Sequence, residues 1–298
     1  MSKPMDTVLI LIASRQSPGI PNEAVAAALS ALAGVGDARR LAPEAVEIML
    51  PDPIGTQEDD VRAALDGWPI DVAHIAREGR AKKLLIADMD STFIHQECID
   101  ELGKMAGAGD QIAAITERAM RGEFNFEQAL RERVAFMKGL DASAIETVKK
   151  EHITFTDGGR ALVQGMRSAG AYTALVSGGF THFTEFVAGE CGFHEHRANR
   201  LIIDGQTLTG KVEEPALGLD AKVSALHEMC ERLGITTDEV LAVGDGANDI
   251  GMLGLAGMGV AFHGKPAVRE AASIKLDHAG LDGLLWLQGL DEAAQSDT

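Results

Sequence analysis

The segment LLIADMD, Leu84 to Asp90, narrows the fold more than any other stretch of this chain. An unbroken apolar run of strand length that ends in carboxylates is the pattern of a strand covered on both faces, inside a parallel sheet. From Cys98 to about Lys150 the text is helical and carries no strand signal, through IDELGKMAG, QIAAITERAM, FEQALRERVAFM and ASAIETVKKEH. Strand signals return at AYTALVSGG and EVLAVGDGAND. Between them, NRLIIDGQTLTGKV reads as two β-rich runs around Asp204-Gly205, a hairpin signature. The expectation is an α/β fold, a Rossmann-like doubly wound parallel sheet, with a helical cap inserted after the first strand at about 96–155. Ligands in such sheets bind beyond the carboxyl ends of the strands.

At 298 residues the chain is long for one domain and comfortable for two. Its first eighty residues alternate differently. TVLILIA is a strand, SPGIP a turn placing Pro21 at a helix start, and NEAVAAALSAL a helix. A strand is expected near Val35 to Leu41, then AVEIML as an alternating strand, TQEDDVRAAL as a charged amphipathic helix and IDVAHIA as a closing strand. That β-α-β-β-α-β order resembles an ACT domain, the small ferredoxin-like module that often senses amino acids. REGRAKK, Arg77 to Lys83, reads as a solvated linker and DEAAQSDT as a loose tail. The expected division is 1–80 for the ACT-like domain and 81–298 for the larger one.

The formal net charge of −18 argues against nucleic-acid or anionic-membrane partners, which require a basic surface. A phosphate can still bind if a metal ion or a local Lys and Arg cluster reverses the field. Cys98, Cys191 and Cys230 are too scattered for a disulfide framework or a zinc site, and they fit a reducing cytoplasm. The apolar run Val8 to Ala13 is far short of the ~20 residues that span a bilayer. Arg15 and Gln16 follow it without a cleavage pattern, so a cytoplasmic protein is expected.

Four short motifs carry chemistry. DMDST, Asp88 to Thr92, sets two carboxylates two apart at the end of a buried strand, a costly arrangement unless a metal or proton relieves it. Alone it reads better as a turn cap. VSGGF, Val176 to Phe180, offers Ser177 and the open backbone of Gly178 and Gly179, able to cradle a phosphate oxygen but also ordinary turn chemistry. Lys222 stands near the start of a helix, where most lysines are solvated. VGDGAND, Val243 to Asp249, places Asp245, Asn248 and Asp249 at another strand end, a hard-oxygen set suited to Mg²⁺. A helix cap accounts for Asn248 but not for so many acids.

In this order the motifs resemble the haloacid dehalogenase superfamily of phosphotransferases. The segments DMDSTFIHQECIDELG and FNFEQALRERVAFMKGL are most similar to its phosphoserine phosphatases. The resemblance runs from about Leu84 to Leu284. It implies that Asp88 is the nucleophile that forms an aspartyl phosphate, and that Asp90 is the general acid and then base. Mg²⁺ would be held by Asp88, the backbone carbonyl of Asp90 and Asp245, with Asp249 in or near its second shell. Ser177 and Lys222 would hold the phosphoryl oxygens, with Gly178, Gly179 and Asn248 completing the substrate contacts. Glu97 would face the substrate ammonium and Arg133 grip its carboxylate, while Phe126 packs over the carbon skeleton or simply belongs to the core. The implied reaction is hydrolysis of phosphoserine to serine, the last step of serine biosynthesis, beneath a closing cap. Two alternatives stay open: a related phosphatase or phosphotransferase on another small ester, and a receiver-like module phosphorylated without turnover. Asp90 disfavours the second. The N-terminal module is left to bind an amino-acid effector or to form a homodimer.

Overall fold

The computed structural model describes residues 7–32, 36–50, 57–120 and 123–290; the expected tail, 291–298, lies outside them. In the N-terminal part, β1 (Thr7–Ala13), β2 (Asp37–Ala42), β3 (Ala45–Leu50) and β4 (Ile70–Ala76) form an antiparallel sheet in the order β2-β3-β1-β4. Helices α1 (Asn22–Ala31) and α2 (Gln57–Ala64) cover one face, burying Leu9, Leu11, Val46 and Ile48. This strand order is compatible with a ferredoxin-like module.

The alternation in AVEIML predicts one solvated face, and here the structure differs. Val8, Ile10, Ile12, Ala45 and Ala73 point away from the two helices and join the apolar core of the larger part of the chain. Both faces of the small sheet are therefore covered. The linker is correspondingly less solvated than its composition suggests, because Arg80 turns inward and pairs with the buried Glu47 at 2.7 Å.

The contact between the two parts is also polar. Asp71, buried opposite Ile12, accepts the backbone N–H groups of Asp277, His278 and Ala279 at 2.8, 3.0 and 2.8 Å. Arg15 pairs with Asp282, and the Gln16 amide donates to Asp157.

The larger part begins with β5 (Leu84–Ala87), β6 (Tyr172–Phe180) and β7 (Glu195–Asn199). The hairpin of β8 (Leu201–Asp204) and β9 (Thr207–Val212) follows, then β10 (Val240–Gly244), β11 (Met258–Phe262) and β12 (Ile274–Leu276). All but the hairpin strands form one parallel sheet in the order β12-β11-β10-β5-β6-β7. Leu85 and Ala87 of β5 face one apolar layer while Leu84 and Ile86 face the other, as the continuous run requires. The order reverses between β5 and β10, so a crevice opens beyond those two strand ends. Asp88 follows β5 and Asp245 follows β10.

Between β5 and β6 lie α3 (Cys98–Met105), α4 (Gly109–Met120), α5 (Phe126–Ala135) and α6 (Ser143–Thr147), which form the cap. A short ladder joins cap to core: His95 N–H donates to Thr154 O and Thr156 N–H to Phe93 O, both at 3.0 Å. The hairpin docks against the cap through Gly139 N–H to Leu208 O (2.9 Å) and Ala142 N–H to Gln206 O (2.8 Å). The sheet is flanked by α7 (Gly159–Ser168), which leads into β6, and after β6 by α8 (Thr181–Cys191), α9 (Ala221–Leu233), α10 (Ile250–Leu255), α11 (Pro266–Ala271) and α12 (Gly283–Gln288). No helix among the described residues is long and apolar enough to cross a membrane.

Candidate active site

The loop after β5 turns back on itself within a few residues. The N–H groups of Thr92, Phe93 and Ile94 all donate to Met89 O, at 3.2, 2.8 and 3.1 Å. That turn places Ser91 in the left-handed region at φ 55°, uncommon for a residue with a side chain. Ser91 Oγ in turn donates to Glu97 Oε1 at 2.9 Å, fixing the residue that precedes α3.

At the crevice floor Lys222, in the first turn of α9, stands 2.6 Å from Asp88 Oδ2 and 2.5 Å from Asp249 Oδ1. Burial alone would lower the Lys222 pKa, but the two carboxylates outweigh it and hold the ammonium charged. Asp249 is pushed up to about 7 by burial and by Asp88. Asp88, Asp245 and Asp249 are all buried, and each offers an oxygen within 4.8 Å of the others. Three converging carboxylates, with Lys222 on Asp88 and Asp249 and Lys265 on Asp245, still leave one excess negative charge in a buried place. A divalent cation relieves it, and an all-oxygen donor set suits Mg²⁺ better than a softer metal. The Asp90 carboxylate is not in this cluster, so any metal contact from Asp90 falls to its backbone carbonyl.

Asp90 is held between the cap and β6. Its Oδ1 accepts the Cys98 N–H at 2.9 Å and its Oδ2 accepts the Ser177 hydroxyl at 3.1 Å. Burial, with the nearby charge of Asp88 adding to it, pushes its pKa up to about 6. A carboxyl in that range both gives and takes a proton near neutrality. The approach to Asp90 explains one glycine of VSGGF: a Cβ on Gly179 would lie 2.6 Å from Asp90 Oδ2. A Cβ on Gly178 would lie 2.7 Å from the edge of the Phe126 ring, which therefore leans over the same turn. Asn248 Nδ2 donates to Asp88 Oδ2 at 3.4 Å.

Above this floor is a cavity of about 550 Å³, lined by Asp88, Asp90, Glu97, Phe126, Arg133, Ser177, Gly178, Gly179, Asp245 and Asn248, among others. Lys222 and Asp249, not among its lining residues, complete the ion-paired floor. Glu97 is pushed up to about 8, by burial first and then by Asp90. Arg133 is half-buried on α5, with Nε donating to Ala129 O at 3.2 Å and Nη1 to Thr116 Oγ1 at 3.5 Å. No carboxylate among the described residues stands within ion-pair distance of it, although Asp100 and Glu97 are near enough to favour its charge. A guanidinium that faces a cavity without a carboxylate partner is suited to receive one from a ligand.

Sequence reasoning missed several groups here. Thr92, whose hydroxyl lies 3.4 Å from Asp245 Oδ1, stands inside DMDST and was legible. Cys98 contributes a backbone N–H, which no residue type advertises. Lys265, 3.0 Å from Asp245 Oδ2, carries no local signal at all.

Residues 85–254 match the family model of the haloacid dehalogenase-like hydrolases. A phosphoserine phosphatase of Polaromonas sp. is 42% identical over 210 residues, covering 69% of this chain and 89% of that one. The chain belongs to the haloacid dehalogenase-like hydrolases, in their phosphoserine phosphatase branch. Among solved structures of this family, a probable phosphoserine phosphatase from Vibrio cholerae superposes with a TM-score of 0.81 at 28% identity, covering 99% of this chain and 90% of that one. A phospho-aspartyl intermediate analogue of phosphoserine phosphatase gives 0.64 at 38% identity, over 69% of this chain and 98% of that one. In this chain that fold brings Asp88, Asp90 and Asp245 to the lining of one cavity.

Proposed function

We propose that this chain hydrolyses O-phospho-L-serine to L-serine and phosphate, with Mg²⁺ held by Asp88, Asp245 and the carbonyl of Asp90, and with Asp249 beside it, directly or through water. The observation that carries the reading is the pairing of a phosphoryl floor with Arg133 and Glu97 in one cavity. These supply a fork for a carboxylate and an acid for an ammonium, the two groups that distinguish a phosphorylated hydroxy-amino acid such as phosphoserine from sugar phosphates. The 38% identity to a phosphatase solved as a phospho-aspartyl analogue supports the covalent route.

In this mechanism Asp88 attacks phosphorus and the bond from phosphorus to the serine oxygen breaks. Protonated Asp90 gives its proton to that oxygen. Serine leaves, and water attacks the phosphorus of the aspartyl phosphate while Asp90, now a carboxylate, accepts the water's proton. Asp88 is regenerated and phosphate departs. Lys222 and Ser177 hold phosphoryl oxygens as charge develops. The metal ion, when bound, neutralises phosphoryl and carboxylate charge at the floor. Closure of the cap over the substrate keeps bulk water out.

In this reading the enzyme completes serine biosynthesis in the cytoplasm. Residues 1–80 form a module that binds an amino acid or pairs two copies, and 81–298 form the phosphatase domain. The test is phosphate release from L-phosphoserine with Mg²⁺ or with EDTA, beside phosphothreonine and a sugar phosphate. Metal-dependent turnover strongest on phosphoserine is expected. Turnover confined to the sugar phosphate would discard the roles of Glu97 and Arg133 and leave the carboxylate chemistry standing.

A further inference from the structure

The loop between β11 and α11 reaches the cavity with a lysine that the mechanism above does not use. Lys265 is tied to Asp245 twice: its backbone N–H donates to Asp245 O at 3.0 Å, and its Nζ lies 3.0 Å from Asp245 Oδ2. The other oxygen, Oδ1, has the Thr92 hydroxyl 3.4 Å away. Asp245 is buried, whereas the Lys265 side chain is 57% exposed, so the ammonium stands at the rim of the cavity it helps to line. The other cations nearby have different tasks. Lys222 is engaged by Asp88 and Asp249 at the floor, and Arg133 lies on the cap. Lys265 is thus the cation that an incoming anion meets beside Asp245, in a cavity whose lining also carries Asp88, Asp90, Glu97 and Asp100, with Arg133 as its other cation.

We propose that Lys265 is a positioning residue that shares Asp245 with the metal ion and draws the anionic phosphoryl group to the rim. This rests on the metal and phosphate roles proposed above. A positive charge paired with Asp245 would act on a bound cation and a bound phosphate with opposite sign. It repels a divalent cation and competes for its ligand, and it attracts a phosphate dianion. Charges within reach of one shared carboxylate interact strongly enough, even when partly exposed, for several-fold effects on each equilibrium. Selection of a lysine here therefore favours substrate capture at the expense of metal affinity.

The test uses the full chain and needs no turnover for its main readouts. Mg²⁺ affinity is measured by calorimetry, and inorganic phosphate binding is measured on the Mg²⁺-loaded protein, for wild type, Lys265→Met and Lys265→Arg. Lys265→Met is expected to bind Mg²⁺ about 3- to 10-fold more tightly and phosphate about 3- to 10-fold more weakly. Lys265→Arg should stay within about twofold of wild type on both, since it restores the charge. Unchanged thermal unfolding of Lys265→Met shows that the fold is intact, as expected for a side chain more than half exposed. Shifts in the same direction, or any pattern other than the opposed pair, overturn the proposal. Because both ligands are tested directly, failure to hydrolyse phosphoserine would sink the substrate assignment and leave this result separately readable.

Discussion

Replacing Arg133 by methionine keeps an apolar stem on α5 and removes the guanidinium that faces the cavity. A hydrogen bond to a charged group is worth about 1.5–3 kcal/mol, and loss of one partner of a desolvated charge pair costs about 2–5 kcal/mol. Arg133 is only half-buried, and two of its donors are already turned to Ala129 O and Thr116 Oγ1. The lower part of that range therefore applies, about 2–4 kcal/mol. At about 1.36 kcal/mol per decade this is about a 30- to 1,000-fold loss in kcat/KM for phosphoserine. The grip on a remote carboxylate acts in ground state and transition state alike, so most of the loss should appear in KM. O-phosphoethanolamine has the same phosphate and ammonium but no carboxylate, and its kcat/KM should change by less than about threefold. The assay is steady-state phosphate release from both esters by wild type and Arg133→Met. Equal losses on the two would show that Arg133 supports the cap rather than the substrate, and would refute the reasoning.

Two further outcomes are expected. Asp71→Ala leaves three backbone N–H groups without their acceptor, that of Ala279 buried and the other two partly buried, at about 1–3 kcal/mol each where water cannot reach them. A net loss of about 3–5 kcal/mol, against an unfolding entropy near 2.1 cal/mol/K per residue, lowers Tm by about 5–8 °C; a fall below 2 °C would contradict the docking of the small sheet. Glu97 carries a pKa of about 8 in place of 4.5, so the folded state binds this proton more tightly than the unfolded state. Stability from this group is full below pH 4.5 and is lost as pH rises toward 8. In urea titrations without added metal, Glu97→Gln should match wild type near pH 4 and exceed it at pH 8. An unchanged pH slope would remove Glu97 from its buried, repelled setting.

The parts of this molecule that were readable from sequence are those in which one strand or one loop states its own environment. LLIA is apolar at every position because both faces of β5 are covered, and the acids after it mark the strand end that opens on the crevice. The hairpin was visible because Gly205, at φ 60°, sits where the turn needs a left-handed residue. Strands β7, β11 and β12 were not predicted: EHRAN is polar at the sheet edge, and IKL is only three residues long. The second covered face of the N-terminal sheet was hidden for another reason. Its cover comes from residues some two hundred positions away, such as Ala279 against Asp71, and no local pattern reports that distance. Lys265 escaped for the same cause, since only the fold brings it to Asp245. Glu97 and Arg133 stand out through resemblance alone; their own surroundings in the sequence read as a helix start and a charged helix face.

The central claim is a covalent phosphate on Asp88. Wild-type and Asp88→Asn protein would be mixed with ³²P-labelled phosphoserine and Mg²⁺, quenched in acid within milliseconds, digested and mapped by mass. The account predicts acid-trapped label on the wild-type peptide that carries Asp88, lost on a chase with unlabelled substrate, and neither label nor turnover in Asp88→Asn. Sustained phosphate release with no label on that peptide, or an active Asp88→Asn enzyme, would contradict it.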